Sequence, residues 1–133
     1  MTARGLGDKY QGMNWIRPER RLAIYLRDGL ACAYCGQCIE DEVKLTLDHV
    51  KPWIDGGSNA NENLVTACLT CNSRRSDRRL EDFAAAVASY VNHGVTAADI
   101  IAHVDAVLTR PVDVGAAKAL IAKRGGFTAA LRS

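Results

Sequence analysis

The chain has 133 residues, a formal net charge of +2 and a mean hydropathy of −0.09; that length suits one compact domain, or a small one with an appendage, with a modest core, and argues against two packed domains. No apolar run approaches the roughly 20 residues that cross a bilayer, and the opening MTARGLGDKYQGMNW has no apolar leader core. A soluble, cytoplasmic protein with a loose N-terminal arm over residues 1–16 is expected, and the small net charge alone says little about an acidic partner.

In chain order, RPERRLAIYLRDG predicts a helix, with Pro18 early, Leu22, Ala23 and Leu26 at helical spacing, and Gly29 as the stop. EVKLTLDHVKPW alternates at Val43, Leu45 and Leu47 before Pro52, the pattern of a strand and the start of its return. IDGGSNANEN is a loop by composition. ENLVTACLTCNSRRSDRRLEDF reads as a short helical turn followed by a helix opening near Asn72. Beyond residue 80 the texture turns alanine-rich. Helices are predicted in LEDFAAAVASYVNHG, stopped by Gly94 with His93 at its end, and in TAADIIAHVDAVLTR, with Thr96 as N-cap, Asp99 in the first turn and His103 on its surface. A third is predicted from Asp113 to Gly125.

Five cysteines, an odd number without an export signal, argue against a disulfide framework. CAYC and CLTC are two C-x2-C knuckles, and together they supply four thiolates, the donor set of a tetrahedral structural Zn²⁺. Cys38 lies three residues after Cys35, so Cys35 and Cys38 form an alternative first pair. Cys32 and Cys35 are preferred, because Gly36 then follows directly, where a knuckle turn needs a permissive residue.

Between the knuckles stand Asp48-His49, the glycine pair Gly56-Gly57 and Asn63-Leu64, and Asn72 follows the second knuckle. This ordered set, RDGLACAYCG, LDHVKPWIDGGSNANENL and CLTCNSRR, resembles the zinc-containing HNH endonucleases over residues 17–79. Asn63 follows His49 by 14 residues and Asn72 by 23, similar to the separation in the HNH domain of RNA-guided DNA nucleases. The resemblance implies an α+β fold, a small zinc-stabilised ββα-metal module of treble-clef-like arrangement. One helix precedes it, and a helical extension over residues 80–133 follows it.

By the same resemblance, His49 would be the general base, Asn63 would fix the loop and so orient His49, and Asp48 and Asn72 would hold a catalytic Mg²⁺ or Mn²⁺. Cys32, Cys35, Cys68 and Cys71 would hold structural Zn²⁺. The sequence departs from the family at Asn72, where many members carry histidine, and at Ser76, where colicin-like members place another. An amide oxygen is a harder ligand than imidazole and moves the preference toward Mg²⁺ or Mn²⁺.

A helix from Asn72 would put Arg75 and Arg79 on one face and Arg74 and Arg78 on the next, as phosphate contacts to double-stranded DNA, with Lys51 nearby. Arg17, Arg20 and Arg21 are equally well read as solvated surface; Trp53, after Pro52, is read as core or loop packing, with contact to DNA as the lesser alternative. The function expected is a metal-dependent endonuclease that leaves 5′-phosphate and 3′-hydroxyl ends. The alternative is a catalytically inactive, zinc-stabilised DNA-binding module. A RING-like interaction domain is disfavoured because its eight-ligand pattern is absent. The last helices would cover the core, form a homodimer or dock a protein partner.

Overall fold

A computed structural model describes residues 16–91 and 94–132. The N-terminal arm, apart from Ile16, and His93 lie outside the described residues. Helix α1 (Pro18–Arg27) leads to the first cysteine pair, followed by a hairpin of β1 (Leu45–His49) and β2 (Leu64–Cys68). Five helices follow: α2 (Leu69–Arg75), α3 (Leu80–Tyr90), α4 (Ala97–Leu108), α5 (Val114–Arg124) and α6 (Phe127–Leu131). The result is α+β, and none of the described helices is long and apolar enough to cross a membrane.

The antiparallel hairpin pairs Leu45 with Cys68 and His49 with Leu64. Both strands are buried along their whole length, which is why β2 carries no alternating pattern. On one side Leu45, Leu47 and Leu64 pack with Ile24 and Tyr25 of α1. On the other, Val65 and Ala67 pack with Phe83, Val87, Val104 and Val107 from α3 and α4. Full burial of each Leu, Ile, Val or Phe side chain among them stabilises by about 1.5–3 kcal/mol. The C-terminal helices therefore complete the core around the hairpin, and α5 and α6 do the same for α1 by packing Ala117 and Ala130 against Leu22 and Ala23.

Helix α1 is also clipped to β2 by polar groups. Arg27 forms a buried pair with Asp28 (2.7 Å) and donates to the carbonyls of Asn61 and Leu64, while Asp28 accepts from the Thr66 amide at 2.8 Å. Arg21 is likewise buried and donates to the Ile16 carbonyl. Among Arg17, Arg20 and Arg21 only Arg17 is fully surface-exposed.

Four expectations are corrected. Residues 64–68 are a strand, and the short helical turn expected in this stretch is confined to Asn61–Asn63. The helix after it runs from Leu69 and ends at Arg75, where Ser76 takes a left-handed φ of 51°. Arg78 and Arg79 therefore do not continue its faces. Helix α3 stops at Tyr90, short of Gly94, and a fourth helix, α6, follows the third expected one. The predicted caps of α4 and α5 are present: Thr96 and Asp99 form a reciprocal capping box, and Asp113 accepts from the Ala116 amide ahead of a left-handed Gly125.

Candidate active site and metal centres

The two knuckles converge. The sulfurs of Cys32, Cys35, Cys68 and Cys71 all lie within 4.8 Å of one another, and Cys35 and Cys68 are 3.8 Å apart. A tetrahedron with Zn–S bonds of about 2.3 Å has an edge of about 3.8 Å, so the four thiols are arranged to hold a metal ion of this kind. Each knuckle folds its own chain around a sulfur: the Cys35 amide donates to Cys32 Sγ and the Cys71 amide to Cys68 Sγ. Hydrogen bonding with the neighbouring thiols, Cys32 foremost, pushes Cys68, as acceptor, far down and Cys71, as donor, far up. Cys38 is not part of the group. It forms a capping box with Asp41 on the turn Ile39–Asp41, which settles the first pair as Cys32 and Cys35. Gly36 beside it has φ of 82°, as the knuckle turn requires.

Because both cysteine pairs share one cluster with Phe83, Val87 and Val104, metal removal is expected to spread beyond the knuckles. A chelator that strips the ion should abolish the cooperative thermal transition, and added Zn²⁺ should restore it. An unchanged melting midpoint in metal-free protein would count against a structural role.

Tyr34 stands inside the first knuckle and connects it to β1. Its hydroxyl donates to Asp48 Oδ2 at 2.7 Å and accepts from Arg75 Nη1 at 2.7 Å, while Nη1 also reaches Asp48 Oδ2 at 2.8 Å. Burial and then the Asp48 charge hold the Tyr34 hydroxyl well above the usual phenol range, so it stays protonated as a donor. Arg75 is 0% exposed, and it also donates to the carbonyls of His49, Val50 and Arg78. The expectation that Arg75 contacts DNA is therefore corrected: its five-donor fork is spent inside the protein, on Asp48 and the chain around His49.

Asn72, one turn before Arg75 on α2, faces the same strand. Its amide nitrogen donates to Thr46 Oγ1 (2.8 Å) and to the Leu47 carbonyl (3.1 Å). A carbonyl can only accept, so the amide orientation is fixed. The buried Oδ1 that remains has no hydrogen-bond partner. A fixed, dehydrated amide oxygen beside the strand that carries Asp48 fits a hard divalent cation.

His49 ends β1, 6% exposed. Its Nε2 lies 2.7 Å from Asn59 Oδ1. An amide oxygen cannot donate, so Nε2 is the donor of this bond, and in the neutral ring Nδ1 is then the nitrogen able to accept a proton. The Trp53 ring packs against the imidazole with centroids 5.8 Å apart. Asn59 was not anticipated as the side chain that touches His49. It is held in turn from α1, where Arg20 donates to the Asn59 carbonyl and to Asn61 Oδ1.

Asn63 works one step further out. Its Oδ1 accepts from the Lys51 amide (2.7 Å), and its Nδ2 donates to the carbonyls of Ser58 (2.8 Å) and Lys51 (3.1 Å). It thus clasps both ends of the loop but is not bonded to His49. Gly57 lets that clasp close, since a Cβ there would collide with the Lys51 carbonyl.

Around this centre Lys51, Arg74, Arg78 and Arg79 are exposed. Arg74 lies over the Tyr90 ring at 5.1 Å. His103 is on the exposed face of α4, as expected.

Comparison with known proteins places this site in context. Residues 32–78 match the family model for HNH endonuclease. Among solved structures, a crystal structure of the Type II-C Cas9 enzyme from Actinomyces naeslundii is 23% identical with a TM-score of 0.45, over 81% of this chain and 13% of that one. No curated protein matches the chain.

Proposed function

We propose that the chain, whose residues 32–78 match the HNH endonuclease family model, is a metal-dependent DNA endonuclease that hydrolyses phosphodiester bonds to 5′-phosphate and 3′-hydroxyl ends. The observation that carries the reading is the buried, partnerless Oδ1 of Asn72, on the helix that packs against the Asp48-His49 strand.

The chain's own residues divide the work. His49 accepts a proton from the attacking water through Nδ1, the acceptor nitrogen of the neutral ring when Nε2 donates to Asn59. Asn59 and the Trp53 ring fix the imidazole in place. Asn63 holds the loop that delivers Asn59. Tyr34 and Arg75 fix Asp48, so that one carboxylate oxygen is committed to the protein. Asp48 and Asn72 would hold Mg²⁺ or Mn²⁺, which supplies charge stabilisation at the phosphate and the leaving oxygen when bound. The four cysteines would hold Zn²⁺ and keep the knuckle, and with it Tyr34, in register.

Lys51, Arg74, Arg78 and Arg79 are proposed as phosphate contacts to double-stranded DNA. Each one removed is expected to lower the slope of log affinity against log salt by about 1, uniformly across sequences. Binding of Arg78→Ala and Arg79→Ala to unrelated duplexes over a salt series measures this, and unchanged slopes would move the interface elsewhere.

One observation favours the alternative reading, an inactive zinc-stabilised DNA-binding module: Asp48 Oδ2 already accepts two hydrogen bonds. End-group analysis separates the two. Nicks that DNA ligase alone reseals carry the proposed ends, and the endonuclease reading predicts them. Absence of nicks in DNA that the protein demonstrably binds supports the alternative.

A further inference from the structure

The loop after β1 leaves two adjacent large apolar side chains in solvent. Trp53 is 44% exposed and Ile54 70% exposed, whereas the other exposed large apolar residues described, Leu26, Leu69 and Tyr90, are separated from one another in sequence. Scattered singles need no explanation, but an adjacent aromatic and β-branched pair at a loop tip does.

This tip is rigid. The turn Trp53–Asp55 closes with the Asp55 amide on the Pro52 carbonyl and the Gly56 amide on the Trp53 carbonyl, and the Gly57 amide returns to Pro52. Asn63 clasps Lys51 on both sides of its peptide unit. A pre-ordered platform loses little conformational freedom when something settles on it.

Position and size narrow what that is. The Trp53 ring centroid is 5.8 Å from that of His49, less than two base rises of about 3.4 Å each. With a scissile phosphate at His49, the base within reach is one flanking the bond to be cut. Two side chains also fall far short of the roughly 800 Å² per partner of a stable protein interface. Lys51 and Arg79 line a cleft beside the turn together with Asp55 and Glu81, so the cleft is charge-balanced. Affinity gained at the tip therefore comes from stacking more than from counterion release.

We infer that Trp53 and Ile54 form an unstacking wedge that enters the base step beside the scissile bond, so that the favoured substrate is DNA already opened there, as at a bulge or mismatch. The inference rests on the nuclease reading of His49 and adds a substrate class to it.

The test compares a short duplex carrying one bulged base with its fully paired counterpart. Binding is measured with zinc-loaded protein before Mn²⁺ is added, and cleavage after. Wild type should prefer the bulged duplex. Trp53→Ala should lose about 5- to 100-fold in affinity for it, with the salt slope unchanged. Ile54→Ala should lose less, and Trp53→Phe should retain most of the preference. Zinc content equal to wild type shows that the variants fold. No preference in wild type, or variants that bind and cut both duplexes as wild type does, overturns the wedge. Wild type that prefers the bulge yet cuts neither duplex keeps the wedge and overturns the nuclease reading, and cutting independent of Trp53 and Ile54 does the reverse.

Discussion

His49→Ala is expected to slow DNA cleavage about 10²- to 10⁴-fold, the ordinary value of a positioned general base, while leaving the protein folded and zinc-loaded. The reasoning is local. The imidazole touches Asn59 and Trp53 at the open end of the hairpin, whereas Asp48, Arg75 and Tyr34 are joined through the His49 backbone carbonyl and the Asp48 side chain. Truncation therefore removes the proton acceptor without opening the buried network. Single-turnover cleavage with saturating protein isolates the chemical step from binding. A variant with full activity would remove His49 from the mechanism.

Arg75→Ala should act on stability instead, costing about 3–5 kcal/mol. Both partners of the Arg75–Asp48 pair are almost wholly buried, with side-chain exposures of 0% and 1%. Truncating the arginine leaves the carboxylate buried beside Tyr34 without its counter-charge, and also strips donors from the carbonyls of His49, Val50 and Arg78. Much of the cost is that stranded charge, so Arg75→Ala combined with Asp48→Asn should be less destabilised than the sum of the two single variants. Chemical denaturation of the four proteins measures the coupling. A loss below about 1 kcal/mol in Arg75→Ala, the range of an exposed pair, would contradict the buried network.

Arg75 also marks where reading the sequence stopped short. RRSDRR carries no local sign that one of its four arginines turns inward, because the partner that draws it in, Asp48, is 27 residues away and reaches it only once α2 packs on the hairpin. Spacing did reveal the two cysteine pairs, since ligands for one ion must come in short local sets. It left Cys38 open until the fold gave that residue a capping role. Strand β2 was hidden for a different reason: LVTAC is covered on both faces, and a strand without a wet face has no alternation to read. Asp48, His49 and Asn72 were named because family resemblance fixes their order, and the fold sets them on β1 and on the helix bonded to it. Asn59 was lost among the turn formers of IDGGSNANEN, where composition identifies a loop but not which amide faces the histidine. Asn63 was assigned to fixing the loop, and it does bond to Lys51 and Ser58 there; that Asn59 is the side chain between that loop and His49 was not read.

The most direct test of the central claim is conversion of supercoiled plasmid by the zinc-loaded wild-type protein, with Mg²⁺ or Mn²⁺ titrated in and His49→Ala alongside. The account predicts nicked or linear product that appears only with the added divalent ion and is almost absent in the variant. Equal product in both proteins, or none in wild type at divalent concentrations where the plasmid is fully bound, would contradict it.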